Sequence, residues 1–221
     1  MTQAVVFDMD GTLTDTEAIW DVVRRGLAEA DGLPWPDEAT PAMMGMSTQQ
    51  WSAYLSEVVG LPGSAKDAAR RTIDGMVDAY RGGIEVLPGA PEVVYRLGAR
   101  WRLGLASSSP RVLIDTALAT LGITDQFATT LSTEELGGAG KPAPDVYLEV
   151  CRRLGVAPAD AVAIEDAPNG IKAAHAAGMR LIAVPPHFHP PAADVLALAD
   201  VVVDSLDEIT TELVAELLGG H

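Results

Sequence analysis

The sequence is poor in cysteine, aromatic residues and basic residues, and it has no long apolar run. Its 221 residues include a single cysteine, Cys151, which excludes an internal disulfide and favours a reducing compartment. No stretch approaches the roughly 18 uninterrupted apolar residues of a membrane span, and the N-terminus lacks a basic segment followed by an apolar one. We therefore expect a cytoplasmic protein without a membrane partner.

Acidic residues outnumber basic ones. The 31 Asp and Glu residues face 15 Lys and Arg residues, which gives a formal net charge of −16. This charge disfavours nucleic acids and anionic membrane surfaces as partners. A small phosphorylated metabolite stays compatible with it, provided that a metal ion and a few fixed cations reverse the potential locally. The oligomeric state is left open between a monomer and a weak homo-oligomer.

The hydrophobic pattern divides the chain into two parts. Residues 16–82 have only helical periodicity, and glycines at 82–83 followed by Pro88-Gly89 mark a linker. After residue 84, helices alternate with apolar strands, a pattern typical of an α/β fold with a Rossmann-like, doubly wound parallel sheet. The opening strand joins that sheet. We therefore expect a core domain of residues 1–15 and 83–221, with an all-helical cap inserted at 16–82.

The pattern also places the individual elements. Strands are predicted at 4–7, 102–106, 127–131, 161–164, 181–184 and 201–203. Helices are predicted at 16–30, 37–44, 48–59, 64–80, 90–99, 110–121, 143–154 and 168–177. Ser205 and Glu208 have the spacing of a capping box, which predicts a closing helix directly after them.

Polar residues follow four of the predicted strands. Asp8 and Asp10 come after the first, residues 107–109 are three serines after the second, Lys141 follows the third, and Glu165-Asp166 follow the fourth. The carboxyl ends of parallel strands lie at one edge of a sheet, so we expect these groups to meet. Carboxylates, a hydroxyl and a lysine together form a site for Mg²⁺ and a phosphoryl group.

Each of these residue types meets a need of phosphoryl transfer. A carboxylate can attack phosphorus and form an aspartyl-phosphate, and a second carboxylic acid can move protons to and from oxygen. Mg²⁺ offsets the repulsion between nucleophile and phosphate, and lysine and hydroxyl groups hold the charged oxygens.

Four segments resemble, in order, the motifs of the haloacid dehalogenase superfamily, in the branch of sugar-phosphate phosphatases and β-phosphoglucomutases. They are residues 8–13, 106–109, 140–145 and 165–170. One such motif is weak evidence, but four in the right order on the right elements are strong. The similarity covers most of the chain and includes a helical cap after the first motif.

The resemblance implies a role for each residue of the motifs. Asp8 is the implied nucleophile and Asp10 the general acid and base. Mg²⁺ is held by the Asp8 carboxylate, the Asp10 backbone carbonyl and Asp166, with Glu165 as a ligand directly or through water. The implied phosphoryl-binding groups are Ser107 and Lys141, and the further residues expected beside the substrate are Gly11, Thr12 and Ser108.

The resemblance also bears on the reaction and on the substrate. Dehalogenases of the superfamily lack the second aspartate, so Asp10 indicates phosphoryl chemistry. The cap residues implied to face the site are Trp20, Gly45, Thr48 and Trp51. β-Phosphoglucomutases tend to have arginine in place of Thr48 and histidine in place of Trp20, whereas residues 17–21 look like those of hexose-phosphate phosphatases. Candidates for a substrate cation, or for solvated helix faces, are Lys66, Arg70, Arg71 and Arg81.

Three functions follow from these observations. The favoured one is a Mg²⁺-dependent phosphatase that hydrolyses small phosphate monoesters, such as sugar phosphates, through an aspartyl-phosphate. The second is a phosphosugar mutase of the β-phosphoglucomutase type. The third, from another class, is a phosphoacceptor switch like a receiver domain. Receiver domains place their acceptor after the third strand, whereas the acidic residues here follow the first and the fourth.

Overall fold

A six-stranded parallel sheet forms the centre of the fold. The structure is a computed structural model that describes residues 2–43, 46–137, 140–187 and 190–219. The strands lie in the order β3-β2-β1-β4-β5-β6, and all neighbouring pairs are parallel. Their bounds are β1 Ala4–Phe7, β2 Arg102–Ser107, β3 Phe127–Ser132, β4 Ala161–Glu165, β5 Arg180–Ala183 and β6 Val201–Val202. This strand order is that of a doubly wound sheet, so the predicted fold class is confirmed.

The described residues between β1 and β2 contain helices and no strand. Four of these helices precede the linker: α1 Glu17–Ala30, α2 Ala39–Met43, α3 Thr48–Tyr54 and α4 Ala65–Gly82, with a π-helical turn at Leu55–Val59 continuing α3. We refer to them as the α1–α4 segment. No helix of the described chain is both long and apolar enough to cross a membrane.

The remaining helices cover the two faces of the sheet. They are α5 Ala90–Gly98, α6 Arg111–Leu121, α7 Asp145–Leu154, α8 Pro168–Ala176, α9 Ala193–Leu196 and α10 Thr211–Gly219. The alternation of side chains along each strand separates the core into two layers. In β1, Val5 and Phe7 pack with α5, α6, α10 and the α1–α4 segment, whereas Ala4 and Val6 pack with α7, α8 and α9.

One predicted helix start is wrong, and several short elements were not predicted. The capping box of Ser205 and Glu208 caps a 3₁₀ turn at Leu206–Glu208, and the closing helix α10 begins only at Thr211. Further 3₁₀ turns, at Thr124–Gln126, Thr133–Leu136 and Pro158–Asp160, and the four-residue helix α9 were not predicted. Elements of three or four residues are too short to show a hydrophobic period.

The two connections of the α1–α4 segment to the sheet run side by side. The N–H of Asp15 donates to the carbonyl of Glu85 at 2.9 Å, and that of Leu87 donates to Leu13 at 3.2 Å. The α1–α4 segment is therefore attached next to the end of β1, where Asp8 and Asp10 lie.

Gly104 of β2 allows α7 to pack closely on the sheet. A Cβ atom at this position would lie 2.5 Å from Val150 Cγ1 and 3.0 Å from Leu154 Cδ1. Both neighbours are fully buried, and valine is stiff about χ1. The absence of a side chain at residue 104 thus sets the distance between this helix and the strand that ends at Ser107.

We predict that Gly104→Ala destabilises the protein by about 1–3 kcal/mol, as overpacking of a core does. The matched control is Gly26→Ala, on the exposed side of α1, where a Cβ would meet nothing within 4 Å. The control should gain up to about 1 kcal/mol from helix propensity. Denaturant unfolding of both variants measures the difference, and equal stability of the two would contradict this account of the packing.

Candidate active site

The predicted strand ends meet at the carboxyl edge of the sheet. β1 and β4 are neighbours at the centre of the sheet. The strand order reverses between them, and doubly wound sheets bind their ligands at such a switch point. Asp8 follows β1 and its N–H donates to the carbonyl of Ile164 in β4 at 3.0 Å. Glu165 ends β4 and Asp166 follows it, so three carboxylates converge there, and all three are buried.

Lys141 connects these acidic groups. Its Nζ donates to Asp8 Oδ1 and to Glu165 Oε1, each at 2.6 Å, and to the carbonyl of Ala106 at 2.9 Å. Tyr147 of α7 completes the cluster, because its hydroxyl donates to Glu165 Oε1 at 2.5 Å. Sequence reasoning missed Tyr147, since a tyrosine inside an amphipathic helix carries no signal beyond the need of a buried hydroxyl for a partner.

Burial and mutual charge shift the pKa values of this cluster. Burial raises the pKa of Asp8 to about 8, with Lys141 lowering it and Glu165 adding to the rise. Burial, Asp8 and Glu165 raise the pKa of Asp166 well above its usual range. For Lys141, burial favours the neutral form, but the two neighbouring carboxylates outweigh it and raise the pKa. The lysine is charged, and the raised pKa values of Asp8 and Asp166 show that their carboxylates crowd one another strongly enough to retain protons when no cation is bound.

The three crowded carboxylates fit a divalent cation, which would take the place of their protons. Carboxylate oxygens of Asp8, Glu165 and Asp166 lie within 4.8 Å of one another. Hard oxygen donors of this type suit Mg²⁺, which prefers carboxylates in its coordination shell. A buried acidic cluster able to hold a divalent metal is therefore present, at the position that the sequence predicted.

Gly11 and Thr12 fix the orientation of Asp166. Gly11 has φ +85°, and a Cβ atom there would lie 2.1 Å from Asp166 Oδ2. This position needs glycine both for its backbone conformation and for the close carboxylate. Thr12 Oγ1 donates to Asp166 Oδ1 at 3.3 Å. Both residues were expected beside the substrate, but the structure places them against Asp166 and not among the residues that line the cavity.

Hydroxyl groups surround the Asp10 carboxylate. Oδ1 accepts from Thr16 Oγ1 at 2.7 Å and from Tyr80 OH at 3.3 Å. Oδ2 accepts from Ser109 Oγ at 2.6 Å and from Ser107 Oγ at 3.5 Å. Thr16 directly precedes α1 and Tyr80 lies in the last turn of α4, so residues at both ends of the α1–α4 segment contact Asp10. Ser109 and Tyr80 were missed, the first because the serine run does not say which hydroxyl points inward.

The three serines after β2 have different surroundings. Ser107 is buried, and its Oγ accepts a hydrogen bond from the N–H of Ser109 at 2.9 Å. Ser108 and Ser109 line the cavity next to Asp8. The predicted residue Ser107 therefore lies at the site, next to Asp10 and Ser109. Ser109 lines the cavity, whereas Ser107 does not.

A cavity of about 110 Å³ separates the sheet edge from the α1–α4 segment. The sheet contributes Asp8, Asp10, Ser108, Lys141, Glu165 and Asp166 to its wall. The α1–α4 segment contributes Glu17, Trp20, Arg24, Met43, Thr48 and Trp51. The predicted residues Trp20, Thr48 and Trp51 thus line the cavity, whereas Gly45 lies outside the described residues.

Arg24 is the cation of the cavity that sequence reasoning missed. Its guanidinium lies over Trp20, 4.6 Å from the ring centroid, and over Trp51 at 5.2 Å. Burial lowers the pKa of Arg24 to about 10, while Glu17 and Asp21 raise it. The helical spacing of Glu17, Trp20 and Arg24, at i, i+3 and i+7, places them on one face of α1 and could have indicated this residue.

The cations considered from the sequence lie elsewhere. Arg70 pairs with Asp67, Arg71 with Asp31 and Arg81 with Asp78. These three arginines and Lys66 are absent from the cavity wall.

Comparison with known proteins agrees with this geometry. Residues 2–178 match the family model of the haloacid dehalogenase-like hydrolases. The chain belongs to this family. It is 34% identical to hexitol phosphatase B of Escherichia coli over 98% of this chain and 96% of that protein. It is 33% identical to a probable pseudouridine-5'-phosphatase of Drosophila melanogaster, over 81% of this chain and 80% of that protein.

The fold of a solved structure is similar to that of this chain and points to the same branch of the family. β-Phosphoglucomutase from Clostridium difficile superposes with a TM-score of 0.82 at 25% identity, covering all of this chain and 98% of the other. The resemblance inferred from the four motifs is confirmed, and the protein is a phosphomonoester hydrolase of the haloacid dehalogenase type.

We predict that the metal-free protein loses stability as the pH rises. The pKa of Asp8 is about 8 in the fold, against an ordinary value of 3.8. Asp8 therefore keeps a proton that the unfolded chain releases, and the stability from this proton is lost as the pH rises toward 8. The free energy of unfolding in EDTA should fall by up to about 1.4 kcal/mol per pH unit between about pH 5 and 8.

Asp8→Asn is the control for this pH dependence. The amide does not titrate, so the variant should show a shallower slope, with the remainder coming from Asp166, whose pKa is also raised. Equal slopes in wild type and variant would contradict the assignment.

Proposed function

We propose that the protein is a Mg²⁺-dependent phosphatase that hydrolyses small phosphate monoesters, sugar phosphates in particular, through an aspartyl-phosphate on Asp8. The observation that supports the proposal is a pair of aspartates on the wall of one cavity. Asp8 accepts a hydrogen bond from Lys141 at 2.6 Å, and the carboxylate of Asp10 accepts hydrogen bonds from four hydroxyl groups. Hexitol phosphatase B and a phosphorylated carbohydrates phosphatase of Thermotoga maritima are relatives at 34% and 30% identity, which supports the substrate class.

In the first step a carboxylate oxygen of Asp8 bonds to phosphorus, and the bond from phosphorus to the alcohol oxygen breaks. Asp10 donates a proton to the departing oxygen. In the second step water attacks the aspartyl-phosphate, Asp10 takes its proton, and phosphate leaves with Asp8 restored. Lys141 and Ser107 hold the phosphoryl oxygens as charge develops on them.

The acidic cluster is the proposed metal site. Asp8, Glu165 and Asp166, with the backbone carbonyl of Asp10, would hold Mg²⁺, which when bound offsets the charge between the nucleophile and the phosphate. The orientation of Asp166 by Gly11 and Thr12 supports this assignment. Lys141 already occupies Glu165 Oε1 and backbone N–H groups of residues 166 and 167 donate to Oε2, so we propose that Glu165 acts on the metal through water.

Residues 16–82 are the proposed cap domain on a core of residues 1–15 and 83–221. The cap covers the cavity and supplies Trp20, Thr48 and Trp51 to the substrate. A cap of this kind excludes water from the reacting groups. The proposed substrate is a small phosphorylated metabolite and not a nucleic acid, in keeping with a net charge of −16.

We predict that Asp8→Asn abolishes turnover, because the amide does not attack phosphorus. Asp10→Asn should reduce kcat by about 10²–10⁴-fold, the range of general acid–base catalysis. Phosphate release from a panel of sugar phosphates measures both effects, and EDTA should remove the activity that Mg²⁺ restores. Mg²⁺-dependent turnover by an Asp8→Asn preparation free of wild-type enzyme would contradict a mechanism through an aspartyl-phosphate on Asp8.

The products distinguish a phosphatase from a mutase. A mutase must hold a bisphosphorylated intermediate, and Thr48 and Trp20 replace the arginine and histidine typical of β-phosphoglucomutases. With glucose 1-phosphate we expect inorganic phosphate and glucose, detected by phosphate assay and NMR. Glucose 6-phosphate as the main product would favour the mutase.

A further inference from the structure

Two buried polar atoms on the cavity wall have no hydrogen-bond partner. Among the residues that the structure describes, Arg24 Nε and Thr48 Oγ1 are the buried side-chain nitrogen and oxygen atoms that lack one. Arg24 is only 7% exposed, and both residues line the cavity. Buried polar groups are nearly always paired in native structures, so two unpaired atoms on one cavity wall call for an explanation, and a bound ligand is one that the cavity can accommodate.

The guanidinium of Arg24 lies in an unusual environment for this chain. Arg152 places Nε and Nη2 on the two carboxylate oxygens of Glu149, at 2.7 and 2.8 Å. Arg24 instead lies over the rings of Trp20 and Trp51. A guanidinium on an aromatic face keeps its N–H donors in its own plane, directed away from the rings. Among these donors Nε has no partner, so it is available to a ligand.

The remaining groups on this wall indicate the chemistry of that ligand. Glu17 lies on the same face of α1 as Trp20 and Arg24 and lines the same cavity. An ionised glutamate only accepts hydrogen bonds, a guanidinium only donates them, and the Thr48 hydroxyl does both. Hydroxyl groups need donors and acceptors together, and the C–H faces of a sugar pack on aromatic rings.

Charge separates a neutral ligand from an anionic one. The charge of Arg24 is balanced by Glu17 on the same wall, so an additional anion there would be repelled by the glutamate. A neutral group with several hydroxyls meets no such penalty.

We propose that Arg24 and Glu17 are specificity-determining residues that bind the hydroxyl groups of a neutral polyhydroxy leaving group and reject a leaving group with a second anion. This inference rests on the proposed function, because it assigns the leaving-group side of the same site. It adds Arg24 and Glu17 to the predicted residues Trp20, Thr48 and Trp51.

The first test compares two matched esters on the wild-type protein with Mg²⁺. Glucose 6-phosphate has a neutral polyhydroxy leaving group, and 6-phosphogluconate has the same number of carbon atoms but is an open chain with a carboxylate in place of the aldehyde carbon. We expect kcat/KM to favour glucose 6-phosphate by about tenfold or more, the effect of one unfavourable charge. Equal values, or a preference for 6-phosphogluconate, would overturn the proposal.

The second test uses variants. Arg24→Gln should lower kcat/KM for glucose 6-phosphate by about 10–100-fold, the effect of losing hydrogen bonds from a charged donor. The loss should be at least about tenfold larger than for p-nitrophenyl phosphate, whose leaving group has no sugar hydroxyls. An equal loss on both esters indicates a structural role and overturns the proposal.

Glu17→Gln tests the rejection of anions independently. Glu17 is exposed, so this variant should fold even where Arg24→Gln does not. Removing the charge should narrow the preference for glucose 6-phosphate over 6-phosphogluconate by about tenfold, and an unchanged preference counts against the proposal. Arg25→Gln is the control, because Arg25 pairs with Asp21 on the exposed side of α1, and both esters should stay within about twofold of wild type.

Hydrolysis of p-nitrophenyl phosphate distinguishes failure of the proposed roles of Arg24 and Glu17 from failure of the proposed phosphatase function. When the wild type hydrolyses it but shows no preference between the two sugar esters, the inference fails and the proposed function stands. When the wild type with Mg²⁺ hydrolyses none of the three esters, the proposed function fails, and the inference fails with it.

Discussion

The buried contact of Lys141 with two carboxylates is the interaction on which the site depends. Its ammonium binds Asp8 and Glu165 and also the carbonyl of Ala106, and so ties together the ends of β1, β4 and β2. Placing these charges out of water is costly, and the loss of one partner would leave a buried charge uncompensated. The lysine thereby holds Asp8, the proposed nucleophile, in one place, and the two neighbouring carboxylates keep the lysine charged.

Around this contact, the two sides of the cavity differ in their charge. The sheet edge concentrates carboxylates whose oxygens are close enough to hold a divalent cation. The α1–α4 segment presents Glu17 and Arg24 beside two tryptophans, and their charges balance. One side therefore favours a metal and a phosphoryl group, and the other favours an uncharged organic group.

Asp10 lies where the two sides meet. Its carboxylate accepts from Ser109 of the sheet edge and from Thr16 and Tyr80 at the two ends of the α1–α4 segment. A movement of that segment relative to the sheet would change the surroundings of the proposed general acid. Asp10 therefore links the proposed proton transfer to the position of the α1–α4 segment over the cavity.

The fold class, the strands whose ends form the site and the protein family could all be predicted from the sequence. The alternation of apolar strands and helices requires a parallel sheet, and polar residues at four strand ends must then share an edge. Asp8, Glu165 and Asp166 were found in this way because they lie at strand ends, whereas Lys141 lies in the loop before α7 and was found through its motif.

Tertiary structure alone decided which side chains complete the site. Tyr147, Ser109 and Arg24 lie on helices and loops whose rotation about their own axes depends on packing, and local patterns do not encode it. The contact of Thr12 with Asp166 spans 154 residues of chain, and that of the neighbouring Gly11 is similarly distant in sequence, so local patterns do not encode either of them. A carboxylate at the end of a strand is positioned by the sheet, whereas the partner of a helical side chain is known only once the helices have packed.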